Sequence, residues 1–136
     1  MINRLELINE NILNISQYST GLIDQYVVKL KDRIKEMLQT DIVDEARISQ
    51  EVVLYADKTS IEEEITRLKS HIVQFKELLQ SESIKKAGKR LDFIIQEMNR
   101  EVNTIGSKSN CLEITNLVIE LKTELEDVRE QVQNIE

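Results

Sequence analysis

The densest concentration of reactive side chains lies in Gln96-Glu97-Met98-Asn99-Arg100-Glu101-Val102-Asn103. On a helix, Glu97 and Glu101 stand one turn apart in a single column, and Asn99 and Asn103 form the neighbouring one. Two stacked carboxylates with amide oxygens beside them suit a hard divalent cation such as Mg²⁺ or Mn²⁺, which takes oxygen ligands. The same pattern also makes an ordinary solvated face with ion pairs, Glu97 to Arg100 for instance. Spacing alone favours that plainer outcome, because acids four apart are common on helices. Shortly after comes Gly106-Ser107-Lys108-Ser109-Asn110. Read as a loop between helices, its hydroxyls, amine and N–H groups suit a phosphate. Read as a glycine C-cap followed by an N-cap, it needs no ligand, and pattern alone favours the caps.

The C-terminal stretch offers two polar columns: Lys122, Glu126, Arg129, Gln133 and Glu136 on one, and Asn116, Glu120, Thr123, Asp127, Glu130 and Asn134 on the other. Coiled-coil flanks have the same make-up, so spacing assigns them no chemistry. His71, between Leu68 and Ile72, is the one histidine. Such a residue is more often structural than catalytic, although an imidazole titrates near neutral pH. Other chemistries lack their parts. Gly21, Gly88 and Gly106 are too scattered for a phosphate-binding glycine loop. One His and one Cys cannot make the usual zinc site, and no Gly-x-Ser-x-Gly is present for a hydrolase nucleophile.

Composition points to helices as the frame for these groups. The chain has 136 residues, no proline, three glycines, 40% apolar and 32% charged residues. That mixture suits amphipathic helices and argues against a β-rich or disordered chain. Cys111 has no partner for an internal disulfide, which fits a reducing compartment. The opening Met1-Ile2-Asn3-Arg4-Leu5-Glu6 carries no signal-peptide pattern, and no stretch approaches the ~20 apolar residues of a membrane span. A cytoplasmic location without membrane contact is expected. Net charge is −7, which repels nucleic acid unless it is unevenly spread. It is uneven: within 84–108, Lys85, Lys86, Lys89, Arg90, Arg100 and Lys108 outnumber Asp92, Glu97 and Glu101. Phosphate contacts are expected there.

Apolar spacing divides the chain into helices. Leu5, Ile8, Ile12 and Ile15 form one stripe, and Ile23, Val27, Leu30, Ile34 and Met37 a second. The stripe slips by one position at Ser19-Thr20-Gly21, which leaves open two helices or one long helix kinked near Gly21. Asp44 or its neighbours start the next helix, with Ile48, Val52 and Tyr55, ending near Asp57-Lys58-Thr59. Ser60-Ile61-Glu62-Glu63 reads as a capping box ahead of Ile61, Ile65, Leu68, Ile72, Phe75 and Leu79. After Ser81-Glu82-Ser83, the stripe Leu91, Ile94, Ile95, Met98, Val102 and Ile105 should stop at Gly106. Ser109 or Asn110 caps the last helix, whose seam Ile114, Val118, Leu121, Leu125, Val128, Val132 and Ile135 keeps a four-three alternation. That seam wants a partner helix, in the same chain or another. The expectation is an all-α, antiparallel bundle of about five helices with a long C-terminal one, residues 1–136 forming a single helical domain.

Two stretches take the reading further. Arg90-Leu91-Asp92-Phe93-Ile94-Ile95-Gln96-Glu97-Met98-Asn99-Arg100-Glu101-Val102-Asn103-Thr104-Ile105-Gly106-Ser107-Lys108, and the terminal Arg129-Glu130-Gln131-Val132-Gln133-Asn134-Ile135-Glu136, closely resemble motifs of the YicC-like bacterial endoribonuclease family. Glu120-Leu121-Lys122 and Glu126 fall between them at matching places, and Glu51, Asp57, Glu63, Glu64, Arg67, Ser70, His71 and Phe75 fit the family's upstream pattern. The resemblance spans about 45–136; residues 1–44 fit the preceding helical segment loosely. It implies a metal-dependent endoribonuclease that cuts single-stranded RNA and assembles as homo-oligomers, in hexameric rings or shells. Carried over, Glu97, Glu101 and Glu130 become metal-binding or general-base carboxylates, with His71 beside them as a catalytic candidate. Arg90, Arg100, Lys108, Lys122, Arg129 and Ser107 become phosphate binders, and Asn99, Asn103, Gln131 and Asn134 orient those groups or the RNA. Either metal-activated water or the neighbouring 2′-hydroxyl would attack the phosphodiester. Family members carry a sizeable N-terminal domain ahead of this region, so the sequence is expected to be the C-terminal part of a longer protein, with a natural short form as the alternative. The alternative is a helical oligomerisation or scaffold module without chemistry, motivated by the seam from Ile114 to Ile135.

Overall fold

The computed structural model describes residues 1–38, 44–81, 83–109 and 111–135. Glu82, Asn110 and Glu136 lie outside them, and only the backbone of Met37, Leu38, Ile84 and Ile135 is described. The described residues form five α-helices and no strand: α1 (Ile2–Leu38), α2 (Glu45–Thr59), α3 (Glu62–Ser81), α4 (Ile84–Lys108) and α5 (Leu112–Ile135). The fold is all-α. The C-terminal helix is long as expected, with 24 residues, and α1 is longer still, with 37.

The first half of α1 packs with α3, α4 and α5 as a four-helix bundle. Neighbours run antiparallel around the ring. Arg4 at the start of α1 donates to Asp127 (2.9 Å) and Glu124 (3.3 Å) late in α5. Lys108 at the end of α4 reaches Glu64 at the start of α3. The core is the one the stripes define: Leu5, Ile8, Ile12 and Ile15 from α1; Ile65, Leu68, Ile72 and Phe75 from α3; Leu91, Ile95, Met98, Val102 and Ile105 from α4; Ile114, Leu121, Leu125, Val128 and Val132 from α5. The seam of α5 therefore finds its partners inside the chain, in α4 and α1.

Beyond Ile15, α1 continues without a break, and Leu22 still packs against the bundle core. The slip at Ser19-Thr20-Gly21 marks no helix end, and α1 also packs against α2. There α1 and α2 form an antiparallel hairpin, with Tyr26 and Tyr55 stacked at 3.9 Å and Lys31 3.4 Å from Glu45. Asp44 caps α2 as expected, accepting from the Ala46 and Arg47 N–H groups.

Two local expectations are corrected. Ser60 ends α2 in extended backbone, and it is the Ile61 carbonyl that accepts the first bond of α3, from Ile65. Glu63 turns forward to Arg67 at 2.9 Å, so no capping box closes. Gly106 does not stop α4, which continues to Lys108. A Cβ there would meet Val118 Cγ1 at 3.3 Å, tighter than ordinary packing. The glycine serves the close approach of α4 to α5. Ser109 closes α4 and accepts from the Cys111 N–H (3.1 Å) as α5 begins.

Candidate functional site

The edge between α3 and α4 is polar along much of its length, and helix geometry explains why. On α3, Glu64, Arg67, His71 and Gln74 follow the three-four spacing that borders the apolar stripe. On α4, Glu97, Glu101 and Lys108 border the other stripe on the facing side. Antiparallel packing matches the two columns: Lys108 Nζ donates to Glu64 Oε1 at 2.9 Å and to the Ser60 carbonyl at 3.1 Å. One to two turns along, Arg67 donates to Glu101 at 3.2 Å and to Glu63 at 2.9 Å. The same register brings His71 level with Glu97.

Two carboxylates in this seam are buried, Glu64 at 4% exposure and Glu101 at 9%. Burial pushes the Glu64 carboxyl upward. The hydrogen bond from Lys108, a backbone N–H and the charges of Lys108 and Arg67 together outweigh it and leave its pKa below the usual 4.5. The hydrogen bond and charge of Glu101 raise the Arg67 pKa. Two buried atoms here have no hydrogen-bond partner, Glu64 Oε2 and His71 Nδ1. Buried polar atoms are normally paired, so the seam keeps unused bonding capacity beside its acids.

The sequence candidates divide between this seam and other surfaces. Glu97 is half-buried and pairs with Arg100 at 3.3 Å, Arg100 itself lying largely in solvent. Lys108, expected in a phosphate loop, sits in the last turn of α4 with its ammonium on Glu64. Ser107 donates to the Thr104 carbonyl. Arg90 lines a groove between α3 and α4. Asn99 and Asn103 precede Gly106 by seven and three residues, so they share the side of α4 that meets α5 at Val118.

On α5, Arg129 grips Glu126 through two hydrogen bonds, at 2.8 and 3.1 Å. Lys122, Glu130 and Asn134 are exposed and Gln131 is half-buried. Glu130 does not join Glu97 and Glu101. Among the described residues, no three acidic, histidine or cysteine side chains are gathered as a metal-binding group. Glu64 and Arg67 belong to the upstream motif, where the resemblance assigns them no role. Their spacing from His71 along the border of the α3 stripe is the signal that they share its edge.

Fold and seam define an all-α bundle in which buried acids on the α3–α4 edge are paired with bases on the facing helix. The particular family is established by comparison. The family model "Endoribonuclease YicC-like, C-terminal" matches residues 4–136. The chain is 53% identical over 135 residues, 98% of its length, to the probable endoribonuclease YicC of Clostridioides difficile (strain 630), covering 45% of that protein. It is 40% identical over 94 residues, 69% of its length, to the probable endoribonuclease YicC of Haemophilus influenzae, covering 32% of it. The chain belongs to the YicC-like family as its C-terminal helical region, and it spans less than half the length of these curated relatives.

Proposed function

We propose that this region supplies an acid–base and phosphate-binding surface to an endoribonuclease that cuts single-stranded RNA, with the α3–α4 seam at its centre. The observation that carries this reading is the seam itself: buried Glu101 and Glu64, held opposite Arg67 and Lys108 beside the unpaired Nδ1 of His71. Glu101 and Lys108 come from the 90–108 stretch and Glu64, Arg67 and His71 from the upstream pattern, both of which carry the family likeness. Cleavage needs a proton taken from the attacking hydroxyl, charge on the phosphate neutralised, and a proton returned to the departing oxygen. Glu97 and Glu101 fit the first role, Arg67, Arg100 and Lys108 the second, and His71 the third.

A divalent cation is part of the proposal in a restricted form. Mg²⁺ commonly binds one or two carboxylates and completes its shell with substrate phosphate and water. Glu97 and Glu101 fit that mode, with Glu130 left out. Bound there, the ion would supply charge stabilisation on the phosphate. It would compete with Arg67 and Arg100 for the same oxygens, which would free the arginines for the RNA backbone.

The test is cleavage of a labelled single-stranded RNA with Mg²⁺ or Mn²⁺. The proteins are this chain and the C. difficile relative carrying this chain in place of its matched region. Glu97→Gln and Glu101→Gln are each expected to lose about 100-fold or more in rate while staying folded. Wild-type rates in both variants, or no cleavage by the chimera, would overturn the reading. Product ends separate the two chemistries, since a 2′,3′-cyclic phosphate marks attack by the neighbouring 2′-hydroxyl.

A second reading has an observation of its own. The hairpin of α1 and α2 exposes Val28, Val53 and Leu54, the last at 62%. Solvated apolar side chains on a two-helix arm favour self-association, in which this region assembles homo-oligomers in the cytoplasm. Both roles can belong to one molecule. None of the described helices is long and apolar enough to cross a membrane.

A further inference from the structure

We infer that the groove at the far end of the α3–α4 edge is a docking site for unpaired RNA bases, with Phe93 as the stacking platform. This rests on the RNA reading above and deepens it by naming where the strand lies outside the seam. The two phenylalanines behave oppositely: Phe75 is fully buried, whereas Phe93 is 63% exposed. It sits in a groove of about 570 Å³ whose apolar floor includes Leu78 and Ile94. Lys89 and Arg90 stand on the α4 side of that groove and Glu77 on the α3 side.

Charge selects the occupant. The chain carries −7 overall, yet Lys85, Lys86, Lys89 and Arg90 precede Phe93 on α4 with no acid among residues 84–91. Lys89 is one turn before Phe93 and Lys86 two, about 6 and 10 Å along the axis. Both lysines are exposed. An exposed ring beside a row of cations matches the pairing that binds single strands without sequence preference: bases stack on the ring while phosphates follow the charges. A duplex, with its bases already stacked, gains nothing from the ring. Glu97 and Glu101 lie one and two turns beyond Phe93 in the same column of α4. A strand anchored at Phe93 would therefore run towards the acids.

The chain contains no tryptophan, so Phe93→Trp introduces a single reporter. Titrating that variant with a single-stranded RNA of about twelve nucleotides, within the site sizes of single-strand binders, is expected to quench its emission. An equal length of duplex RNA is expected to leave it unchanged. By fluorescence anisotropy, Phe93→Ala is expected to weaken single-strand affinity about 5- to 100-fold, the range that loss of one stacked base produces. Phe93→Trp should keep wild-type affinity, and Lys89→Gln should shallow the salt dependence of binding.

Unchanged affinity in Phe93→Ala, absence of quenching, or absence of RNA binding by the wild-type chain would each overturn the inference. So would a Phe93→Ala variant that binds RNA normally but shows a smaller mass in light scattering, because Phe93 would then be a protein contact. If RNA is bound and quenches the emission of the Phe93→Trp variant but is never cut, this site stands and the nuclease reading fails. If RNA is cut and Phe93→Ala cuts and binds it equally well, the reverse holds.

Discussion

Glu64 and Glu101 place negative charge where water is mostly excluded, and each is tolerable only because a base on the facing helix meets it. For Glu64 the consequence can be worked out with sign. Its carboxyl has a folded pKa below the ordinary 4.5. It therefore contributes stability above that value, and the contribution disappears as pH falls through the lowered pKa. Lys108→Met removes its main partner and leaves burial, which favours the neutral acid, less opposed. At pH 7 that variant is expected to lose about 1–3 kcal/mol in urea unfolding, nearer the lower figure because Lys108 is a third exposed. The deficit should shrink as pH falls through the lowered pKa of Glu64, below which its carboxyl is protonated in both proteins. A deficit independent of pH would mean that Lys108 acts through packing. The reactive residues themselves are readable from type and spacing, Glu97 and Glu101 above all. What spacing does not carry is pairing across helices, since Arg67 and Glu101 are separated by 34 positions and meet only through the register of α3 on α4.

The helices follow from apolar stripes because burial dominates over local propensity, and the buried sets of α3, α4 and α5 match the stripes closely. Boundaries are less legible. Ser60 and Gly106 carry cap signals, yet Ser60 closes the preceding helix, and Gly106 stays inside α4 where a side chain would crowd Val118. A glycine within a helix and a glycine at its end look alike in one sequence, since both rest on the missing Cβ. The packing account makes a prediction that a cap would not. Gly106→Leu must push against Val118, and overpacking of this kind costs about 1–3 kcal/mol. Val118→Ala in the same chain should recover part of that loss, so the two substitutions together cost less than their sum in urea melts. Strict additivity would remove Val118 as the reason for the glycine.

The molecule has two tiers of order, set by how many helices share a core. The bundle tier buries side chains from α1, α3, α4 and α5 against one another. The arm tier rests chiefly on α1 and α2, and Ile48 is the buried residue of α2. Two antiparallel helices in water bury too little apolar surface to be rigid by themselves, and the stacked pair Tyr26 and Tyr55 is the main addition. Stability should therefore be uneven along the chain. In hydrogen exchange on dilute protein, amides of Glu45–Thr59 are expected to exchange roughly tenfold or more faster than those of Leu91–Ile105. Concentration then separates the two roles proposed for the chain. If self-association uses the exposed Val28, Val53 and Leu54, protection of α2 rises as protein concentration is increased, while α4, already protected inside the bundle, changes little. Protection in α2 equal to that of α4 at the lowest concentration would mean the arm is as firmly held as the core. Protection that stays low at every concentration would leave the arm for a different partner, and the bundle with its acid–base seam would be the part of this region that acts by itself.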